Sequence, residues 1–218
     1  IPNYVPQRTA QAVGSPNLGQ LRNGVQLPAS PLYKRRYKNI MFGSGYLIAN
    51  VQTAVAQFRQ DMDFDGTLVL ADISRRRGGH FPPHGSHQTG RDIDIWLPTL
   101  RGVFKEKYLT EEGDEKWGRR PNPEEADWFA TWGLIRALIA TDSVQVIFLD
   151  HSIQPNVYNA AKFLGVSDEE LARSIQWPRA KGMPGSILSH SDAHIHHMHV
   201  RFKCAPYEKE CNRRNAPK

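Results

Sequence analysis

The most informative segment of the chain is GSHQTGRDIDIW, at residues 85–96. Apolar and polar side chains alternate in its second half, DIDIW, and a period of two is typical of a strand with one face in the core. The other face then borders a cleft, and Asp94 lies on it. Gly90 permits the tight or positive-φ turn that connects His87, in the preceding loop, to this strand.

A second stretch, HHMHVRF at residues 196–202, predicts another strand of the same kind. Its apolar residues alternate with His197, His199 and Arg201, so these three side chains share one face. The Cα atoms of His197 and His199 are then about 6.6 Å apart. One imidazole can therefore bind a metal ion while the other reaches a group that the metal holds.

His87, Asp94 and His199 together are the ligand set that a catalytic zinc ion needs. Such a site has three protein ligands of nitrogen or oxygen type and keeps its fourth position for water. One carboxylate against a divalent ion leaves net positive charge, which draws the pKa of bound water from ~16 toward ~7. The sequence therefore predicts a hydrolytic site with one Zn²⁺ in a cleft on the sheet.

The other histidines leave alternatives open, because five of the nine lie between residues 190 and 199. His194 and His196 form a second His-x-His pair, but the strand period places them on the apolar face, so this pair is ranked lower. His84, three residues before His87, is predicted either to approach a second metal ion or to lie behind the ligands of the first.

A basic run, RRRGG at residues 75–79, leads into the histidine loop. A guanidinium from this run, with Arg77 as the candidate, would clamp a substrate carboxylate at the rim of the cleft. An exposed basic loop without a binding role is an equally good interpretation.

The composition fits one catalytic domain with an anionic partner. The chain has 218 residues, 39% of them hydrophobic, and a formal charge of +6, and its pI is about 9.4. Cell-wall polymers, nucleic acid and membrane surfaces all suit a basic protein. The arginine clusters are dispersed and lack interleaved aromatic residues, so nucleic-acid binding is not predicted.

Several features predict a protein that works in the periplasm or after secretion. No run approaches the roughly 20 apolar residues of a transmembrane helix. The chain begins at Ile1 without the pattern of a signal peptide, so a mature or trimmed form is expected. Cys204 and Cys211 are predicted to close a small disulfide loop, which implies an oxidising compartment. Two free thiols, or soft ligands for a separate metal, are the alternatives.

The order of elements predicts an arm followed by one domain. Residues 1–38 carry five prolines and little periodicity, and they are predicted to wrap on the domain as an irregular arm. Residues 39–218 are predicted to form the catalytic domain. Within it, helices are predicted at 47–58, after the cap Asn122, at 155–164 and at 167–175, and strands at 67–73 and 144–149.

The histidine and aspartate pattern resembles that of zinc metallopeptidases of the lysostaphin, D-alanyl-D-alanine peptidase and sonic hedgehog type. Their His-x6-Asp followed by a distant His-x-His is matched by His87, Asp94, His197 and His199. The closer resemblance is to penicillin-insensitive murein endopeptidases, and it rests on Gly78-Gly79, on residues 84–95, on residues 197–201 and on the two cysteines that follow.

This resemblance implies an α+β fold, with a small antiparallel sheet flanked by helices, one zinc ion, and cleavage of the peptide stems of peptidoglycan at their cross-links. By position, His87, Asp94 and His199 are the implied zinc ligands, and His197 is the implied base or transition-state stabiliser. His84 matches a histidine linked in that family to a further metal, but the chain has no matching Asp-x-x-His.

Two other functions remain as alternatives. Related D,D-carboxypeptidases and dipeptidases use a Glu three residues before the last zinc histidine, and this chain has His196 there, which favours the endopeptidase. A wall-binding module that keeps the zinc but has no activity is the second alternative, because a fold does not by itself establish turnover.

Overall fold

The computed structural model describes residues 3–100 and 120–212, and this part of the chain contains four helices and a six-stranded sheet. The strands and helices, in chain order, are β1 (Gln11–Ser15), β2 (Leu18–Arg22), β3 (Val25–Gln26), β4 (Lys34–Arg35), β5 (Phe42–Gly43), α1 (Gly45–Met62), β6 (Val69–Leu70), β7 (Asp92–Trp96), α2 (Trp128–Ala140), β8 (Val144–Phe148), α3 (Gln154–Phe163), α4 (Asp168–Ser174), β9 (Leu188–Ser189) and β10 (His197–Phe202).

The main sheet has the strand order β4-β6-β7-β10-β8-β9. Its four central strands run antiparallel to one another, whereas each edge strand is parallel to its one neighbour, in the pairs β4–β6 and β8–β9. The predicted α+β class is therefore confirmed, and the sheet is mixed because parallel strands extend its antiparallel centre. Strands β7 and β10 lie side by side at this centre, which joins two stretches that are a hundred residues apart in sequence.

The two central strands bury one face in the core, as their alternation predicts. Four apolar residues of these strands are fully buried and share the main hydrophobic core with residues of the helices: Ile93, Ile95, Val200 and Phe202. Because side chains alternate across a strand, the opposite face of the same strands carries the aspartates and histidines. The core thus fixes which side chains face the cleft.

Helix α1 supplies a large part of that core, and its start is set by Ser44. The Ser44 hydroxyl accepts a hydrogen bond from the Leu47 backbone N–H at 3.2 Å, which caps the first turn. Leu47, Val51 and Phe58, which recur at helical spacing, are fully buried. The predicted helix at 47–58 is confirmed and extends further at both ends.

Helix α2 begins later than the sequence predicts. Asn122 caps only one turn of 3-10 helix, Pro123–Glu125, and the next residue, Ala126, is extended. The helix starts after Asp127, whose carboxylate accepts a hydrogen bond from the Ala130 N–H at 2.9 Å. Two capping residues five positions apart compete here, and the second one starts the helix.

The N-terminal segment is less irregular than predicted. It contains the β1–β2 hairpin, and β4 from the same segment joins the edge of the main sheet. The prediction was wrong in this respect because these strands are short and rich in Gly, Gln, Lys and Arg, so they show little apolar alternation. The hairpin packs on the chain's other end, where Ala12 N–H donates to Glu208 Oε1 at 2.9 Å. The division of the chain at residue 38 stays a prediction.

A disulfide closes the segment that follows β10. Cys204 and Cys211 form a disulfide across seven positions of sequence, so the two alternatives for these cysteines are excluded. Arg91 holds the closed loop against the sheet, because its guanidinium donates to Asn212 Oδ1 at 2.7 Å and to the Phe202 carbonyl.

Within residues 3–100 and 120–212, no helix has the length and apolar character that crossing a membrane requires.

Replacing both cysteines by alanine is expected to lower the free energy of unfolding by about 2 to 3 kcal/mol, because the unfolded chain regains the entropy that this short closed loop removes. Urea unfolding followed by circular dichroism measures the effect. The wild-type protein in reductant serves as the control and is expected to behave like Cys204→Ala/Cys211→Ala. An unfolding midpoint equal to that of the oxidised wild type would contradict the expectation.

Candidate metal centre

The pairing of β7 with β10 places Asp94 directly opposite His199. The antiparallel register joins His199 to Asp94 and Arg201 to Asp92. Directly opposed residues of an antiparallel pair point to the same side of the sheet. Asp94 and His199 are both more than nine-tenths buried. The site that their side chains form is therefore largely shielded from water.

His87 reaches the same place from the loop that precedes β7. Its backbone is left-handed, with φ of 67°, a conformation that costs energy in a residue with a Cβ. Two hydrogen bonds hold it: the His87 N–H donates to Asp92 Oδ2 at 3.1 Å, and its ring Nδ1 lies 2.8 Å from the Ile73 carbonyl oxygen. Gly90 has the positive φ that the sequence predicts, 65°, and a Cβ there would lie 2.9 Å from Gly43 Cα.

Three atoms that could bind a metal ion converge in this site and form a nearly equilateral triangle. His87 Nε2 lies 3.3 Å from Asp94 Oδ1, His199 Nδ1 lies 3.2 Å from the same oxygen, and the two nitrogens are 3.2 Å apart. Asp94 Oδ1 is buried and has no hydrogen-bond partner within the described part of the chain. Burial raises the pKa of Asp94, but the neighbouring imidazoles outweigh burial and hold it well below its usual range. The triangle thus contains an ionised oxygen that accepts no hydrogen bond from the described residues.

Asp92 orients two members of this triangle. Its carboxylate lies 3.1 Å from His199 Nε2 and accepts hydrogen bonds from the His87 backbone N–H and from Arg201 Nε, the latter at 2.7 Å. A hydrogen bond to one ring nitrogen of a histidine leaves the other nitrogen free to bind a metal. Burial raises the pKa of Asp92, but His199, His87 and Arg201 outweigh burial and lower it below its usual range.

The role of Asp92 is not indicated by the sequence pattern. The available signal was the strand period, which puts Asp92 on the face of Asp94. The period does not show that Asp92 would lie behind His199, because that contact depends on the register between β7 and β10.

His84 lies beside the second oxygen of Asp94. Its Nδ1 is 3.7 Å from Asp94 Oδ2, and its Nε2 is 2.8 Å from Asp72 Oδ2. His84, His87 and Asp94 have ligand atoms within 4.8 Å of one another and could hold a metal ion. Asp72, which is 5% exposed, orients the His84 ring in the way that Asp92 orients His199.

His197 approaches Asp94 from the neighbouring position on β10. Its Nε2 lies 3.8 Å from Asp94 Oδ2, and its Nδ1 is buried without a hydrogen-bond partner among the described residues. Burial lowers the pKa of His197 to about 4, against the opposite effect of Asp94. The imidazole is therefore neutral at pH 7.

The structure places His194 beside the site and not on the apolar face that the strand period predicts. The His194 ring lies 4.9 Å from the His197 ring and 5.8 Å from the His199 ring, so His194 borders the site. The predicted placement of His194 was wrong because β10 begins only at His197, and the period of two does not extend into the preceding loop. The positive φ of Ala193, 65°, belongs to that loop.

Arg77 is not part of this cluster. Its backbone carbonyl accepts a hydrogen bond from the Leu21 N–H, and it lines a surface pocket with the β1–β2 hairpin. Arg75 of the same run lies closer to the cluster: its guanidinium carbon is 5.7 Å from the centre of the Phe81 ring, which stacks on His84 at 5.0 Å.

A second group of potential metal ligands is Asp150, His190 and Asp192. Both nitrogens of His190 are already engaged, Nδ1 by the His151 N–H at 3.0 Å and Nε2 by Asp192 Oδ1 at 3.1 Å. Asp192 is exposed, and exposed acidic groups are common without an ion, so this group is a weaker candidate for a metal site than the buried triangle.

The chain is similar to one family of known proteins. The family model described as penicillin-insensitive murein endopeptidase matches residues 12–167, a range that includes His87 and Asp94 and ends before β10. Proteins of that name are similar over 96% of this chain. The one from Yersinia pestis is 28% identical over 233 residues and is covered over 74% of its length. Those from Pectobacterium atrosepticum and Klebsiella pneumoniae are 26% and 27% identical over 221 residues, with 70% and 72% of their lengths covered.

Proposed function

The chain belongs to the penicillin-insensitive murein endopeptidase family, and on this basis we propose that it is a zinc metallopeptidase that hydrolyses peptide cross-links in bacterial peptidoglycan. The observation that supports zinc binding is the triangle formed by His87 Nε2, Asp94 Oδ1 and His199 Nδ1. The residues of this triangle are the three ligands that we assign to the ion.

The dimensions and chemistry of the triangle support zinc. Zinc binds histidine nitrogen and carboxylate oxygen at about 2.0 to 2.1 Å, so the edges of a tetrahedral site are about 3.3 to 3.4 Å long. The three observed edges, 3.2 to 3.3 Å, are close to this value. A divalent ion would also bind Asp94 Oδ1, which has no hydrogen-bond partner among the described residues.

When bound, the zinc ion would supply polarisation of the substrate carbonyl and a lowered pKa for water. Two acceptors orient the histidine ligands: the Ile73 carbonyl for His87 and the Asp92 carboxylate for His199. Because each acceptor takes the proton of the far ring nitrogen, the near nitrogens keep their lone pairs for the ion.

We assign proton transfer to His197. Its Nε2 lies next to the ligand set, 3.8 Å from Asp94 Oδ2, and burial keeps the ring neutral by lowering its pKa to about 4. A neutral imidazole accepts a proton at Nε2 from the attacking water and returns that proton to the leaving amine nitrogen, so the catalyst is restored.

We further propose that the protein acts in the periplasm or after secretion. The disulfide between Cys204 and Cys211 supports this location, because such bonds persist in oxidising compartments. Peptidoglycan stems are the proposed partner, and the basic surface suits this anionic polymer.

The direct test is digestion of cross-linked peptidoglycan sacculi. The purified protein should release monomeric muropeptides, identified by mass, and a chelator should stop the release until zinc is added back. Release of single D-alanine without monomers would indicate a carboxypeptidase. Intact sacculi in the presence of zinc would indicate a wall-binding module without activity and would contradict the proposal.

The affinity for zinc is expected to rise by about tenfold per pH unit between about pH 7 and about pH 9, because one proton must leave His199. In the metal-free protein burial lowers the pKa of His199, but Asp92 and Asp94 outweigh burial and raise it to about 9. Below that pH the proton competes with zinc, so acidification weakens binding. Competition with a chelator of known protonation, repeated at each pH, measures the slope. An affinity that is constant over this range would contradict the expectation.

The change Asp92→Asn is expected to weaken zinc binding by about 10- to 100-fold. The amide lacks the negative charge that holds His199 Nε2 at 3.1 Å, so the ligand ring loses its orientation. The same chelator competition measures the effect at fixed pH. Asp142→Asn, which removes an exposed carboxylate paired with Lys203, is the matched control. Equal affinities in the two variants would show that Asp92 does not support the ligand set.

A further inference from the structure

Arg201 is an arginine on the cleft face of β10 that the mechanism above does not use. It follows His197 and His199 at the period of the strand, so the three share one face. Its Nε donates to Asp92 Oδ1 at 2.7 Å, and its guanidinium carbon lies 5.8 Å from the centre of the Phe148 ring. The guanidinium is thus fixed by a buried carboxylate at one edge and by an aromatic ring on one face.

Within the described part of the chain, the two terminal nitrogens of Arg201 have no hydrogen-bond partner. In residues 3–100 and 120–212 the only hydrogen bond of its side chain is the one through Nε, and the side chain is 19% exposed. A guanidinium held in one orientation presents its remaining N–H groups as a planar fork. This fork matches a carboxylate, which it binds with two parallel charge-assisted hydrogen bonds.

Arg201 also lies close to the proposed metal ligands. The Phe148 ring that it contacts is 5.6 Å from the His199 ring, and Asp92 joins Arg201 to His199 through a single carboxylate oxygen. The negative charge of Asp92 offsets the positive charge of Arg201. The charge of a divalent ion exceeds the single negative charge of Asp94. The site with its metal therefore carries net positive charge and favours an anionic group of the substrate.

We infer that Arg201 binds the substrate carboxylate nearest the scissile amide nitrogen, an inference that rests on the proposed function. In a cross-link from D-alanine to diaminopimelate, the carbon that bears this nitrogen also bears a carboxylate. The carboxylate is then one carbon away from the reacting group and must lie close to the metal ligands, as Arg201 does. A carboxylate on the acyl side of D-alanine is a whole residue further away. Arg201 thus makes the enzyme specific for cross-links that carry this charge.

The test uses two synthetic cross-linked dimers that differ only in this group, which is a free carboxylate in one and a carboxamide in the other. The wild type is expected to cleave the free form with a kcat/KM about 10- to 100-fold higher, because the carboxamide loses the charge and turns N–H donors toward the fork. In Arg201→Ala this preference should fall to about one. Arg201→Lys should retain part of it, since the charge remains but the fork is lost.

Each preference is a ratio measured on one protein preparation, so it does not depend on the fraction of active or zinc-loaded molecules. Lys203→Ala removes the same charge from an exposed lysine paired with Asp142 and should keep the wild-type ratio. If Arg201→Ala is too unstable or loses zinc, a ratio in Arg201→Lys equal to that of the wild type would overturn the inference.

Two further outcomes would also overturn it. One is a wild-type ratio near one. The other is an Arg201→Ala protein that is slower on both dimers but keeps the wild-type ratio, which would mean that Arg201 acts only by holding Asp92. A wild type with zinc that cleaves neither dimer would instead overturn the proposed function, and the inference with it.

Discussion

The His199→Ala protein is expected to lose its zinc and to cleave cross-linked muropeptides with a kcat/KM at least about a thousandfold below that of the wild type, since the metal supplies several kcal/mol of transition-state stabilisation. The substitution removes one corner of the triangle, because His199 Nδ1 is 3.2 Å from both of the other ligand atoms. It also leaves Asp92 and Asp94 without the imidazole that both of them contact.

Metal analysis after dialysis, combined with initial rates on a defined dimer, measures both consequences. His80→Ala is a suitable control, because His80 is an exposed residue of the loop before His84 and has no proposed role. A His199→Ala protein that retains one zinc per chain and the wild-type rate would contradict the ligand assignment.

The His197→Ala protein is expected to keep its zinc but to lose activity by about 100- to 10,000-fold, the usual contribution of a positioned proton-transfer group. His197 lies 3.8 Å from the oxygen of Asp94 that is not in the triangle, so its removal leaves the three ligand atoms in place. The fall should appear in kcat, because the residue acts on the reacting atoms.

The same metal analysis separates His197 from His199. If His197→Ala also lost its zinc, His197 would be a ligand and the division of roles between the two histidines would be wrong. If it kept both zinc and full activity, the proton acceptor would have to be another group, and His194 would be the next candidate because its ring is 4.9 Å from that of His197.

The strand period explains why much of the site could be predicted from sequence. Alternation in DIDIW and HMHVRF follows from local backbone geometry, so it gives the faces of Asp94 and His199 without knowledge of the fold. The structure adds the register, which sets the two residues opposite each other. His87 could be proposed only by its spacing from Asp94, because a loop residue follows no period.

The parts that were missed depend on contacts between distant segments. His84 is oriented by Asp72, twelve positions earlier, and no pattern in either segment indicates this pairing. Strand β4 consists of Lys34 and Arg35, and it is a strand because its backbone pairs with β6. Its side chains carry no apolar signal, which is why the N-terminal segment was predicted to be irregular.

We propose that three side chains hold one zinc ion and leave a position for solvent. Anomalous scattering, measured on crystals on both sides of the zinc absorption edge, would locate this ion. We predict one peak at about 2.0 to 2.1 Å from His87 Nε2, Asp94 Oδ1 and His199 Nδ1, with no fourth protein ligand. The absence of a peak in zinc-soaked crystals, or a protein side chain in the fourth position, would contradict the proposed zinc site.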